Sequence, residues 1–473
     1  MPRLRPGLPV FILLLAALWL RAPTELTAQS QTTSAMRGMV VDVGGMPIAE
    51  ATVRIRHALT GAERTVITSV QGRFLALLLQ PGGPYALTVT RIGYAESAEE
   101  GIQLQVGETY TAEIVLQDRA VEVEGVAVNV ERSAIFNPDQ VGPATLLDQR
   151  TVESVPVLSR DVTELAILSP LVRTTEAGGF SVGGQNDRYN ALLVDGLLNK
   201  DAFGLTAGGV PGGQAGAKLL PIDAVAQYEI LVAPYDARLS GFAGGVMNAV
   251  TKTGTNDWMV RGLAVGRHSS LMGDLTLPSG PAEASGVERT LVGATVSGPI
   301  IRDKAHFLVS TEFERRSQPP AGYNSGRDLA ALVGIEPVAI QAFQSLMEDG
   351  YGVETGVAGS YPLSQTLANV FARADWHFGN GNRLTARNVF AYADNDESPN
   401  RAPFDPYEFS SNAVFRTSGS NTSSLQFFTD LGNRGGNEID LTVQRTTDRT
   451  NPASDLPQIE AVLRSPDGAY TAT

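Results

Sequence analysis

Gly179-Phe-Ser181-Val-Gly183 carries the spacing of a nucleophile elbow, in which a serine between two glycines attacks a carbonyl carbon. That chemistry needs a strand, a sharp turn and a helix around the serine, with an acid and a histidine downstream. Here the next residues read as a polar turn followed by a strand. None of the four histidines, His57, His268, His306 and His377, is placed to serve it. The same histidines form no HxxE or HExxH arrangement, so zinc-dependent hydrolysis has no ligand set either. Gly208-Gly-Val-Pro-Gly-Gly-Gln-Ala-Gly216 is rich in glycine but lacks the Lys-Ser/Thr pair and flanking strand of a phosphate loop. It reads as a flexible loop. Asp394, Asp396 and Glu397 have the chemistry of calcium ligands, yet their setting reads as an acidic, solvated loop. With no cysteine there is no disulfide framework and no thiolate metal site. We expect no enzyme, no cofactor and no metal.

The composition narrows the remaining classes. The 473 residues carry a formal net charge of -14. Arg3, Arg5, Arg21 and Glu25 are the charges of the first 28 residues, so the rest of the chain holds -16. Phosphate backbones demand clustered Lys and Arg, and we expect no nucleic-acid partner. Arg3 and Arg5 precede the apolar run Val10–Leu20, too short for the roughly 20 residues that span a bilayer as a helix. Leu26-Thr27-Ala28 then offers the small residue at which a signal peptide is cut, so residues 1–28 are expected to direct export.

The elements follow from periodicity. Between residues 34 and 117, Ala51, Val53 and Ile55 alternate with Thr52, Arg54 and Arg56, and Tyr85, Leu87 and Val89 repeat the pattern, as do Ala112, Ile114 and Leu116. A period of two predicts half-buried strands, here of a small β-sandwich. Gly44-Gly45, Gln71-Gly72 and Pro81-Gly82-Gly83 supply its turns. Residues 118–130 are Val-rich and acidic, and link the sandwich to a mixed α+β region at 131–255. There Asp161-Val-Thr-Glu164 caps a short helix over 162–168, Pro221–Ala226 predicts another, and Tyr228–Val232 a strand. Asp195-Gly196 marks a tight turn.

Past residue 256 the alternation takes a different form. Ala368, Val370, Ala372, Ala374, Trp376 and Phe378 share one parity, and Asn369, Arg373, Asp375 and His377 the other. Leu425, Phe427, Thr429 and Leu431 oppose Ser424, Gln426 and Asp430, and Ile439, Leu441 and Val443 oppose Asp440, Thr442 and Gln444. Seven strands of about ten residues are expected, near 257–267, 289–297, 305–316, 366–378, 383–394, 421–431 and 437–446. Short turns at 299–304, 379–382 and 432–436 alternate with long connections at 317–365 and 396–419. Short turns on one side and long loops on the other are the pattern of a membrane barrel, apolar outward and polar inward. A soluble all-β sandwich would also alternate, but has no need of that regular spacing.

Three stretches carry a resemblance. Gly38-x-Val40-x-Asp42-x-x-Gly45-x-Pro47-Ile48, with Gly72-x-Phe74 and Tyr85-x-Leu87, resembles the carboxypeptidase regulatory-like domain, a structural module. Ile222–Val232, Pro234-Tyr-Asp-Ala-Arg238 and Gly241–Asn256 resemble the end of a TonB-dependent receptor plug, and Val182–Gly196 its strand and Asp-Gly turn. Ser297-Gly-Pro-Ile-Ile-Arg-Asp-Lys304 is similar to an early barrel turn of the Oar-like branch. Gly183 stands where many plugs carry Arg, which removes any inherited ion pair there.

The resemblance implies a mainly β chain: signal peptide 1–28, sandwich 34–117, linker 118–130, plug 131–255 and an antiparallel transmembrane barrel from 256, incomplete at residue 473. Such barrels have about 22 strands. It further implies transport of a ligand across the outer membrane by energy-coupled plug movement, with a periplasmic TonB complex, an extracellular ligand and membrane lipid as partners. In that scheme the linker, with Val121, Val123, Ala127 and Asn129 on one parity, would offer a strand to TonB by edge pairing. Arg238 would be held by the lumen-facing carboxylates Glu312 and Glu314, and Phe203 would sit on a ligand-facing plug loop. A cell-surface binding or adhesion protein built on the sandwich is the alternative.

Overall fold

The computed structural model describes residues 32–118, most of 144–318 and most of 337–455, together with the strands Leu463–Arg464 and Thr471–Ala472. The expected signal peptide, the Val121–Asn129 segment and Arg238 lie outside the described residues.

The sandwich is built from β1 (Ser34–Asp42), β2 (Thr52–His57), β3 (Glu63–Ile67), β4 (Arg73–Leu79), β5 (Gly82–Thr90), β6 (Ser97–Leu104) and β7 (Thr109–Leu116). One sheet runs β4-β1-β7 and the other β3-β2-β5-β6. Strand alternation puts Val53, Ile55, Leu87, Val89, Ile114 and Leu116 into one core, while Arg54 and Arg56 face water. Each such apolar side chain contributes roughly 1.5–3 kcal/mol on burial.

The next unit is centred on a five-stranded sheet. It contains β8 (Ala144–Leu147), the short pair β9 (Val172–Thr174) and β10 (Phe180–Val182), and then β11 (Ala191–Val194), β12 (Leu197–Leu198), β13 (Val225–Val232) and β14 (Gly245–Thr251). The sheet order is β12-β11-β14-β13-β8, with β11 and β14 parallel. Asp195 and Gly196 both have positive φ, 47° and 76°, as the two-residue β11–β12 turn requires. The expected helix at 162–168 is a 3-10 helix, Val162–Leu168, whose Asp161 carboxylate accepts from the Thr163 N–H at 2.9 Å. The one at 221–226 shortens to Ile222–Ala224, because β13 starts at Val225 and claims the rest.

Around this unit runs β15 (Met259–His268). A small hairpin follows, β16 (Leu275–Leu277) and β17 (Gly280–Ala282), and then β18 (Glu288–Ile301), β19 (Ala305–Gln318), β20 (Leu363–Gly379), β21 (Asn382–Glu397), β22 (Val414–Asp430) and β23 (Gly436–Pro452). Seven of these form one antiparallel sheet in the order β15-β18-β19-β20-β21-β22-β23, which does not close on itself among the described residues. The strands reach 17 residues, longer than the expected ten or so. They continue as paired ladders beyond the apolar band, where polar residues such as Asp394 and Asn395 pair with Thr417 and Arg416 and alternation no longer marks them. A helix, Pro337–Tyr351, fills part of the long β19–β20 connection and lies outside the expected elements. Its signal is present in the chain: Ile340, Phe343 and Met347 are spaced three and four apart, and Pro337 takes the first helical position, where no N–H is needed.

The sheet faces are inverted relative to the sandwich. Ser310, Glu312, Glu314, Asn369, Arg373, Asp375, Thr385 and Arg387 are buried on the concave side, against the five-stranded unit. Val292, Phe313, Trp376, Phe378, Leu425, Phe427, Ile439, Leu441 and Val443 stand exposed on the other. Leu308, Phe371 and Val389, on that same concave side, join the core of the enclosed unit.

Candidate functional site: the charged interface between the enclosed unit and the strand sheet

Two clusters of opposite polarity join the enclosed unit to the sheet. In the first, the unit supplies cations. Arg160 reaches Glu312 on β19 at 2.6 Å and Asp223 at 2.7 Å, and Arg261 on β15 adds a contact to Asp223 at 3.4 Å. Lys218 reaches Glu314 at 2.6 Å, and its ammonium also donates to the Ser159 carbonyl. Glu314 collects two more partners from the sheet, Arg289 at 2.6 Å and Arg316 at 3.0 Å. β-Strand geometry explains why both glutamates point inward, since residues two apart share a face. Glu314 is only 2% exposed, so its charge depends on these partners for the solvation that water would otherwise supply.

In the second cluster the unit supplies the anion. Asp195, at the β11–β12 turn, accepts from the Thr251 N–H at 2.8 Å and the Thr251 hydroxyl at 2.7 Å. It pairs with Arg373 on β20 at 3.4 Å and with Arg387 on β21. Arg373 is fixed by a two-pronged contact to Asp375, 2.8 and 2.9 Å, and Asp375 accepts from the Thr385 hydroxyl at 2.7 Å. Burial works against ionisation of Asp195, but the Arg387 and Arg373 guanidiniums and the Thr251 hydrogen bonds hold its carboxyl below the ordinary range. Neutral contacts complete the interface: Thr422 to Asn199 at 3.1 Å, Gln365 to the Ala215 carbonyl at 3.1 Å and Gln444 to the Lys200 carbonyl at 3.2 Å.

The structure thus brings Glu312 and Glu314 to Arg160 and Lys218, neither of which stands out in the sequence. The inward parity of the glutamates is readable there, but their partners lie 152 and 96 residues away in loops without periodicity. Sequence marks Asp195 only as a turn residue, and its second role shows in nothing local. Phe203 is 69% exposed on the loop after β12, and its N–H donates to Asp201 at 3.0 Å. Ser181 lies within β10, not at a strand-to-helix turn. Asp394, Asp396 and Glu397 are each engaged, by the Thr417 hydroxyl, the Ser364 N–H and Arg416 respectively. The arrangement holds two bodies together by charge.

Comparison with known proteins gives three results. Residues 35–117 match the family model of the carboxypeptidase regulatory-like domain. Over 305 residues the chain is 27% identical to the TonB-dependent transporter Oar of Myxococcus xanthus, covering 59% of this chain and 26% of that protein. The chain therefore spans about a quarter of the length of that relative. Among solved structures it is similar to the outer membrane transporter YddB from Escherichia coli, at 12% identity and a TM-score of 0.43, over 64% of this chain and 38% of that one. It is also similar to the alcaligin outer membrane receptor FauA from Bordetella pertussis, at 10% identity and a TM-score of 0.40, over 66% of this chain and 48% of that one. At the family level the chain combines a regulatory-like sandwich with a region similar to a TonB-dependent transporter. Its curated relative is a transporter, not an enzyme.

Proposed function

We propose that this chain belongs to an outer-membrane importer in which residues 131–255 are a plug and the strand sheet is barrel wall. The observation that carries the reading is the inverted alternation of the sheet, with Phe313, Trp376, Leu425, Phe427, Leu441 and Val443 outward and a charged concave face around an enclosed unit. A water-soluble sheet has no use for that outer face, whereas hydrocarbon requires it. Arg160–Glu312, Lys218–Glu314 and Asp195–Arg373/Arg387 are then the locks that keep the plug seated. Arg238 is a further proposed plug cation. A ligand binds from outside on plug and barrel loops, with Phe203 on one exposed plug loop. A periplasmic TonB complex pairs with the Val121–Asn129 segment and pulls the plug, breaking the locks to open a path. No covalent step is involved.

Fractionation tests the membrane assignment. The expressed chain should stay with outer membrane after high-salt and carbonate washes and leave only with detergent. Release into buffer would favour the cell-surface binding protein. Charge reversal tests the locks: Glu314→Lys should lower the hydrogen-exchange protection of Val225–Val232 in the enclosed unit, and Lys218→Glu in the same chain should restore part of it.

A further inference from the structure

The sandwich is seated on the short-turn side of the strand sheet, and the seat has an unusual composition. Arg64 on β3 is 5% exposed and pairs with Asp430 at the end of β22. A side chain at Gly381, in the β20–β21 turn, would collide with the Arg64 guanidinium, and one at Gly61 would collide with Asp303 in the β18–β19 turn. Asn256 donates its N–H to the Leu59 carbonyl at 2.8 Å, and Gln227 of β13 accepts from the Val106 N–H at 3.1 Å. At the centre lie three of the chain's four histidines. His57 ends β2, and His306 and His377 sit at the turn ends of β19 and β20 with ring centroids 6.2 Å apart.

All three rings are placed as neutral imidazoles. The His57 Nδ1 accepts from the Thr60 N–H at 3.3 Å, so a proton there would set two donors against each other. The His306 Nε2–H donates to the Asn256 side-chain Oδ1 at 3.0 Å, and the Nδ1 atoms of His306 and His377 are buried with no hydrogen-bond partner among the described residues. An imidazolium needs an acceptor at both nitrogens. The Asp375 and Asp303 carboxylates favour an imidazolium by charge but supply no hydrogen bond to the buried Nδ1 atoms, Asp375 being held by Arg373 and Thr385 and Asp303 by Asn256. Arg383, stacked 4.1 Å over Phe428, adds positive charge. Tyr85, edge-on to His57 at 4.7 Å, gives its hydroxyl to the Gln80 carbonyl.

We propose that this seat is released by acid: the sandwich stays docked while His57, His306 and His377 are neutral and leaves the sheet when they are protonated. Burial, then His377, His306 and Arg383, push His57 down to about 4 from the ordinary histidine value near 6.5, and the share contributed by the sheet's His377, His306 and Arg383 is relieved when the sandwich is free. A depressed value means that docking is at full strength above about pH 6.5 and is lost as pH falls toward 4. Release uncovers Gln227 and the face of β13 against which the sandwich rests. The proposal does not depend on transport.

The test uses the full chain in lipid vesicles. Because the sequence has no cysteine, Ile92→Cys on the sandwich and Val443→Cys on the sheet, both on exposed side chains, give two clean spin-label sites. Pulsed dipolar distances should be narrow at pH 7.5 and long and broad at pH 4.5, and the combined His57→Gln, His306→Gln and His377→Gln chain should stay narrow at both. An unchanged distance in the parent at pH 4.5, or release of the triple variant in step with it, overturns the proposal. If the triple variant fails to dock at pH 7.5, His57→Gln alone must release at a lower pH than the parent. An unshifted midpoint then overturns it.

Discussion

The sandwich and the strand sheet obey the same two-residue period with opposite sign. In the sandwich Val53, Ile55, Leu87 and Val89 point in, and Arg54 and Arg56 point out. In the sheet Glu312, Glu314, Arg373, Asp375 and Arg387 point in, and Phe427, Leu441 and Val443 point out. A strand's backbone is indifferent to this choice, because alternate side chains reach opposite faces whatever they are. What differs is the medium on each side. The sandwich hides apolar area from water, and the sheet hides charge against the charge of a neighbouring unit.

That contrast can be broken first at its costliest point. Asp195→Ala leaves Arg373 and Arg387 buried without their shared anion and should cost about 3–5 kcal/mol. Hydrogen exchange of Ala191–Val194 in the vesicle-embedded chain would register it, and a loss under about 1 kcal/mol would mean that charge does not hold the interface. The native pair should also weaken with acid. Since the Asp195 carboxyl is held below its ordinary range, its contribution is complete above about pH 4 and fades as pH falls through the folded value.

A matched pair of substitutions sharpens the comparison next. Val443→Arg should cost about 2–4 kcal/mol if that face meets hydrocarbon at mid-depth. Ile67→Arg on the sandwich, equally exposed at 64% against 62%, should stay within about 0.5 kcal/mol because it meets water. Urea unfolding in vesicles, followed by hydrogen exchange of Thr52–His57 in the sandwich and of Gly436–Pro452 in the sheet, separates the two outcomes, and equal small costs would make the sheet soluble. A double-mutant cycle on Arg160→Ala and Glu312→Gln comes third, with an expected coupling of about 1–3 kcal/mol. Smallest is Glu63→Ala, which removes the exposed partner of Arg54 and should cost under about 1 kcal/mol by the same assay.

The locations of the strands are largely legible in the chain because period and turn chemistry are local. All seven strands of the large sheet fall where alternation places them. Strand ends are less legible, since a ladder can extend by backbone pairing after its side-chain pattern has stopped. The helix Pro337–Tyr351 is masked by the long loop around it, although its spacing is written in the chain.

The inward face of Glu312 and Glu314 and the apolar outer stripe are properties of the sequence alone, because parity along one strand is fixed by pleat geometry. Which cations meet those glutamates, that Asp195 faces Arg373 and Arg387, and that His57 comes to lie with His306 and His377 are decisions of the tertiary structure. A charge carries no mark of its partner when the two are separated by about a hundred residues or more of intervening chain. Only the folded chain sets the distance, and with it the burial that makes the pairing matter.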